Sequence, residues 1–365
     1  MDEFSGNGLL PRISAPELYP VSIGGVIVRQ SKGDDYLMNS VAFLNAGVGV
    51  SAIKTSAERR VQPSVVEIAW FSFAEKRAFY AECRLNEKYI AGLINDGYRL
   101  VNGSKGYYSY FDMALFPGGR IAIYLSGDER MKLVEQYSAN DTDLPVSVFA
   151  PDSGFNDYEE FAETFIRGDE CNDYNDDGND DGYGGGHEGD GGCTVGHADD
   201  TMAAWAENLV ENGVDYSTIE LSFKKYNYGV IIEFMIPNGH LSAKRLDETV
   251  LSVEFANGEF FKRTGKGIPH DNYSIIRSVS FEYELDDRSV LCDIYFDIKE
   301  LAEVFSPTNN NNDAQNNTLY LNFDYTQLSV TAQFTGGNGS CNIEELRYRI
   351  AEYKDGRTMF KGGNS

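Results

Sequence analysis

Apolar residues along this chain recur mainly at every second position, in short runs broken by glycine, asparagine and charged residues. That period belongs to half-buried strands. In the first 150 residues the runs are VSIGGVIV (21–28), VVEIAWFSF (65–73), AFYAECRL (78–85), YYSYFDMALF (107–116) and RIAIYLSG (120–127). Residues 74–77 separate the second run from the third, a length suited to a hairpin. Pro117, Gly118 and Gly119 separate the last two runs. Proline fixes one φ and glycine tolerates positive φ, so this tripeptide predicts a tight turn. The period lengthens at 86–93, where Tyr89, Ile90 and Leu93 share a helical face, Asn86 can serve as N-cap and Gly97 as stop. Short helices are also expected at 157–166 and at 201–212, the latter with Trp205 and Leu209 on one face and Gly213 as its stop.

The second half reads as strands at 230–235, 250–255, 260–263, 279–285, 290–296, 319–323 and 328–334. Helix-like turns are expected at 298–305 and 343–350, Asn-Gly turns at Asn238 and Gly239 and at Asn257 and Gly258, and a polar loop at 306–317. The terminal FKGGNS is expected to fray. A weak internal repeat sets the segment starting at Val66 against the one starting at Arg277, each reading strand, charged turn, strand, short helix, then a loop and another hairpin. The expected fold is therefore mainly β (α+β), with two related lobes of antiparallel β-hairpins and short helices. Residues 1–150 form the first lobe and 201–365 the second, with 151–200 a largely disordered acidic insertion between them.

Charge sharpens that division. The chain holds 31 basic and 57 acidic residues, a net charge of −26. Residues 151–200 contain 16 acids and one base, and 169–192 contain nine acids, eight glycines and no base. Such a tract cannot nucleate a core. The overall acidity argues against nucleic acid and anionic membranes as partners. No apolar run of 18 residues is present, and the N-terminus has neither a basic nor an apolar leader region. Five widely spaced cysteines read as reduced thiols. A cytoplasmic location is expected.

Candidate chemistry is sparse. Asp173, Asn175, Asp177 and Gly178, with Asp181 beyond, resemble the start of a calcium loop, but Gly184 stands where a bidentate glutamate is required. Cys171, Cys193, His187 and His197 are zinc-compatible in type but not in spacing. No metal or cofactor is expected. The nucleophile elbow, the zinc-protease helix, the phosphate-binding loop and the dinucleotide fingerprint are all absent. His240 and His270, the two histidines outside the acidic tract, read as turn residues. Trp70, Phe71, Phe73, Phe79 and Tyr80 read as a sheet packed on both faces rather than a binding surface.

Three of these stretches resemble a bacterial family, the domain of unknown function 2931. They are SAPELYPVSI (14–23), VEIAWFSFAEKRAFYAECRL (66–85) and ALFPGGRIAIYLSG (114–127). Trp70, Phe71, Ser72, Glu75 and Tyr80 match its first hairpin, with one residue added before Phe79. Pro117, Gly118, Gly119, Leu125, Ser126 and Gly127 match its second, with Phe116 for the usual alanine and Tyr124 for the usual tryptophan. Residues 211–234 and VEFANGEFF (253–261), with Asn257 and Gly258, resemble its longer members. Every motif is a turn or a core strand, so the resemblance implies structural roles and no catalytic residue. By the gene neighbourhoods of some members it also implies an immunity role against a toxin of a type VI-like secretion system. The expected function is thus non-enzymatic binding of a cognate toxin. The alternatives are an enzyme with carboxylates in a cleft between the lobes and a carbohydrate- or ligand-binding β module.

Overall fold

The computed structural model describes residues 8–16, 18–38, 42–44, 48, 60–151, 153–167, 212–235, 249–285, 288–306, 317–324, 327–336, 339–354 and 357–364. The fold is mostly β, with four α-helices among these residues. The first half contains β1 (Leu10–Ser14), β2 (Val21–Gln30), β3 (Tyr36–Met38), β4 (Ala42–Leu44), β5 (Pro63–Ser72), β6 (Arg77–Arg84), α1 (Glu87–Asp96), β7 (Tyr98–Arg99), β8 (Lys105–Gly106), β9 (Tyr110–Phe116), β10 (Arg120–Gly127), β11 (Arg130–Ser138), β12 (Asn140–Asp141) and α2 (Tyr158–Arg167). The second contains α3 (Tyr216–Phe223), β13 (Tyr226–Met235), β14 (Val250–Phe255), β15 (Phe260–Thr264), β16 (Gly267–Tyr273), β17 (Ile276–Leu285), β18 (Arg288–Phe296), α4 (Ile298–Phe305), β19 (Thr318–Asp324), β20 (Ser329–Gly336), β21 (Gly339–Ile343), β22 (Leu346–Lys354) and β23 (Arg357–Asn364).

The two halves share one topology. In the first, β2, β5, β6 and β12 pair antiparallel in that order, and in the second β14, β17, β18 and β22 do the same. Each half then has a parallel pair, β1 with β9 and β13 with β19, extended antiparallel through β10 and β11 or through β20 and β21. The helix follows its strand directly each time, capped by the side chain of Asn86 in α1 and of Asp297 in α4. Even the outer contact of the first strand recurs, as the Leu9–Val61 bridge in one half and the β13–β16 pairing in the other.

Alternation places the core of each half between its two sheets. Trp70, Phe79, Phe111, Ile123 and Ile90 meet in the first core, and Phe281, Val290, Tyr228, Leu321 and Leu301 in the second. Phe71 and Phe73 point to the opposite face of β5, where Val146, Phe149, Phe161 and Ala162 cover them. The aromatic run is therefore packed on both faces at Trp70, Phe71, Phe73 and Phe79, while Tyr80, read with them, is exposed. α2 belongs to that cover through Tyr158, Phe161 and Ala162, although its composition resembles the acidic tract.

One sheet crosses between the halves. The short pairing of β11 with β15, Arg130 with Phe261 and Met131 with Phe260, joins four strands of the first half to six of the second in a ten-stranded sheet.

Several expectations need correction. Residues 343–350 are not helical: Ile343 ends β21, and β22 runs from Leu346. The apolar positions 343, 346 and 350 fit either period, and the open edge of β18 selects the strand. The C-terminal stretch through Asn364 lies in β23, paired along its whole length with β22. The repeat aligns in step at the helix caps, but its first strands slip by two. The hairpin turn spans four residues between Ser72 and Arg77 and two between Leu285 and Arg288, so Val279, not Arg277, is the counterpart of Val66. Residues 168–211 lie outside the described residues. With them lie Asp173, Asn175, Asp177 and Asp181, the zinc-type residues Cys171, Cys193, His187 and His197, and all but the last residue of the helix expected at 201–212.

Candidate functional site

The polar side chains that the fold brings together gather on the outer face of β1, β9, β10 and β11, and at the edges of α3, which lies over that face. Alternation turns Ala114, Phe116, Ala122 and Tyr124 outward, and Ile219 and Phe223 of α3 pack on them. Leu221, from the same helix, packs against the second core. α3 is thus the wedge between the halves. Its N-cap, Asp215, accepts from the Thr218 N–H at 3.1 Å and from Lys299 of α4 at 2.8 Å, and its backbone N–H donates to the Tyr19 hydroxyl at 3.3 Å. Partial burial pushes the Asp215 carboxyl up, but the hydrogen bonds from Lys299, Ser217 and Thr218 outweigh it and hold the group well below the ordinary carboxylate range.

The family-motif residues meet beside this wedge. Glu75, at the tip of the first hairpin, accepts through Oε1 from the Gly118 N–H at 2.9 Å and from the Tyr216 hydroxyl at 2.8 Å. Burial, and then the contact with Glu75, pushes the Tyr216 phenol up to about 12. Gly118 and Gly119 both hold positive φ, and a Cβ on Gly119 would lie 2.9 Å from the Phe79 ring, which stacks on Trp70. Ser72 is buried, and Gly127 leaves room for the Tyr98 hydroxyl. Tyr80 stands apart, exposed, with its hydroxyl 3.4 Å from Glu67. The Asn257 carbonyl accepts from the Tyr124 hydroxyl. Gly258, at φ +86°, leaves room for Val48. Glu259 accepts from the Leu133 N–H at 3.2 Å and pairs with Lys225. The motifs thus converge on two joints: one between the hairpins of the first half, one between the halves.

A third cluster centres on a buried carboxylate. Arg12 donates from Nε to Asp112 at 2.5 Å and from Nη2 to the Ser126 hydroxyl at 2.8 Å, and Ser126 donates to the other Asp112 oxygen. The Arg12 guanidinium lies 3.8 Å from the Tyr110 ring centre. Asp112 is 1% exposed. Burial raises its carboxyl above the ordinary value, against the pull of Arg12 and Ser126. All three polar groups bond to one another, which is what a buried charge requires. The Ser126 hydroxyl donates to a carboxylate and accepts from an arginine, and neither partner is a histidine. Sequence reasoning did not identify Arg12 and Asp112 as a pair. The usable signal was a lone carboxylate in the apolar run 107–116.

The two buried thiols are held inert. Burial pushes the Cys83 thiol up to about 12 and Cys292 higher still. Burial and Glu300 also raise Cys341. Among the described residues no group of three or more His, Cys, Asp or Glu side chains is placed to hold a metal ion, and no helix is long and apolar enough to cross a membrane. A shallow open groove of about 330 Å³ runs along α1, lined by Asn86, Lys88, Tyr89, Gly92, Leu93 and Asp96.

A family model described as "Protein of unknown function (DUF2931)" matches residues 10–177. Over those residues this chain is similar to the DUF2931 family. The match takes in β1 to α2 and stops short of the second half, so residues 211–234 and 253–261 lie beyond it. No curated protein and no solved structure matches the chain. Within the matched residues, those that carry the motif sit in hairpin turns, in the core and at the joint with α3.

Proposed function

We propose that this protein acts by binding another protein, in the manner of an immunity protein that occludes a toxin, and not by catalysis. One observation carries the reading: the same helix is covered in the second half and open in the first. In α4, Glu300 stands three residues after the N-cap and accepts from the backbone N–H of Glu344 at 2.6 Å and of Glu345 at 3.0 Å. In α1 the same position is Tyr89, which is exposed, forms a wall of the groove, and has the Lys132 ammonium 5.9 Å from its ring centre. An exposed tyrosine beside an unfilled groove is the usual anchor of a protein interface.

Two further facts support binding over turnover. The carboxylates at the joint between the halves each hold a partner: Glu75 with Gly118 and Tyr216 through Oε1, its buried Oε2 having none among the described residues, Asp215 with Lys299, Glu220 with Arg120 and Glu259 with Lys225. The net charge of −26 would speed encounter with a basic partner. The test is co-expression with the product of the neighbouring gene, scored for a stable complex and for rescue of growth. Gly92→Arg fills the groove without meeting any atom within 4 Å of the new Cβ. It should abolish the complex and leave the fold intact. Complex formation that is indifferent to Gly92→Arg and Tyr89→Ala would move the interface elsewhere. Turnover of a small substrate by the purified chain would replace binding with catalysis.

A further inference from the structure

We propose that β21 is a pairing edge that takes the same strand of a second copy of this chain, joining two five-stranded sheets across a two-fold axis. The case begins with how the other sheet edges end. β1 is largely buried. β23 carries Arg357 and Lys361. β3 is three residues long and follows Asp34 and Asp35, β12 is two residues long and includes Asp141, and β16 contains Pro269 and Asp271. Burial, shortness, charge and proline are the devices that keep sheet edges from pairing with other chains. Within β21 itself there is neither charge nor proline, and Glu344 and Glu345 come only after its last residue. Its sequence is GSCNI, four of its five residues are exposed, and its register with β20 runs without a shift. Among the described residues no strand or bridge lies against its outer edge.

Position strengthens the case. β21 occupies in the second half the place of β11 in the first, and the outer edge of β11 is taken by β15. The chain therefore already pairs the counterpart of this edge. Charge selects the occupant. Two copies at −26 repel over most of their surfaces. Beside β21, however, the outer face presents Thr331, Gln333, Thr335, Ser340 and Asn342, all uncharged. Antiparallel self-pairing centred on Cys341 sets Ser340 of each copy against Asn342 of the other. That extends the hydroxyl and amide contacts Thr335–Ser340 at 3.0 Å and Gln333–Asn342 at 3.4 Å. It also keeps the two copies of Glu344 and Glu345 at opposite ends of the joint. The contact is isologous, so it uses up the edge and stops at a dimer.

The test is light scattering of the full chain over a range of protein and salt concentrations, beside the double variant Ser340→Lys with Asn342→Lys. The expected result is a dimer that strengthens with salt, because salt screens the repulsion between copies. The double variant should be monomeric with an unchanged thermal midpoint, and Gly92→Arg should dimerise normally, which separates this joint from the groove along α1. A bifunctional maleimide should link two chains through Cys341 when Cys171 and Cys193 are replaced by serine, since Cys83 and Cys292 are buried. A monomer under every condition, a dimer that survives the double lysine change, or an edge occupied by a strand of a different protein would each overturn the proposal.

Discussion

The outer face of β1, β9, β10 and β11 and the outer face of β13, β19, β20 and β21 are the same surface in two copies of one topology, and they have opposite chemistry. The first presents Ala114, Phe116, Ala122, Tyr124 and Met131 and is sealed by α3. The second presents Ile231, Tyr320, Asn322, Thr331, Gln333 and Asn342, with Thr331 and Asn342 exposed. Arrays of repeated units behave this way: an internal unit buries an apolar face against its neighbour, and a terminal unit ends in a polar one. The strand pairing is common to both halves, so it does not depend on what covers the outer face. The side chains on that face decide whether a neighbour follows.

The sharpest way to break the contrast is to loosen the wedge. Phe223 is buried against Phe116, with ring centres 5.0 Å apart. Phe223→Ala should cost about 3–5 kcal/mol by chemical denaturation. Unfolding should then split into two steps if α3 supplies most of the coupling between the halves. A single step that simply moves to lower denaturant would mean that the β11–β15 pairing couples them without it.

The buried ion pair should come next in size. Asp112→Ala leaves the Arg12 guanidinium beside a vacated apolar site, at a cost of about 3 kcal/mol. Arg12→Ala with Asp112→Ala removes both charges and should cost less than Asp112→Ala alone. Double-mutant analysis of thermal unfolding measures the difference. Equal costs would show that the pair is already solvated in the folded state.

A smaller effect is expected where α3 meets α4. Asp215 sits below its ordinary carboxylate value in the folded chain. Its contribution is therefore present above the unfolded value, near 3.9, and is lost as pH falls through the acid range. Asp215→Asn keeps an N-cap but removes the charge that Lys299 meets. The variant should have a modestly lower thermal midpoint at neutral pH, with the gap to the parent chain closing on acidification. A gap that stays constant with pH would assign the role of Asp215 to capping alone.

These effects differ in how far the sequence announces them. The tight turn at Pro117, the caps at Asn86 and Gly97, and the two-sided burial of the aromatic run are local, and their signals are local too. β11, β22 and β23 mix charges into their alternation, as in RMKLVEQYS, and become strands because an open edge beside them needs partners. The parallel pairing of β1 with β9 spans a hundred residues and leaves no mark in either segment. The joints follow the same rule. Glu75 and Gly118 could be picked out singly by resemblance, and Asp112 stands out as a carboxylate in an apolar strand. Their partners, Tyr216 and Arg12, become visible only once the sheets are assembled.

The smallest expected effect tests the other side of the contrast. Thr331 is exposed on β20, opposite Asn322, on a face that α3 leaves free. A lysine there keeps its charge in water, and the loss of a β-branched residue from a strand is a weak penalty, so Thr331→Lys should shift stability by no more than about 0.5 kcal/mol. The matched change on the sealed face, Ala122→Lys, drives an ammonium under α3, where Ala122 is 0% exposed. It should be far more damaging, because a charge buried without a partner must be neutralised or must force the layers apart. Thermal unfolding of the two variants side by side gives the ratio. If both are mild, α3 lifts readily from the first half and the face beneath it is accessible in solution. If both are severe, the second face is covered as well, and the polar end of the array does not terminate it.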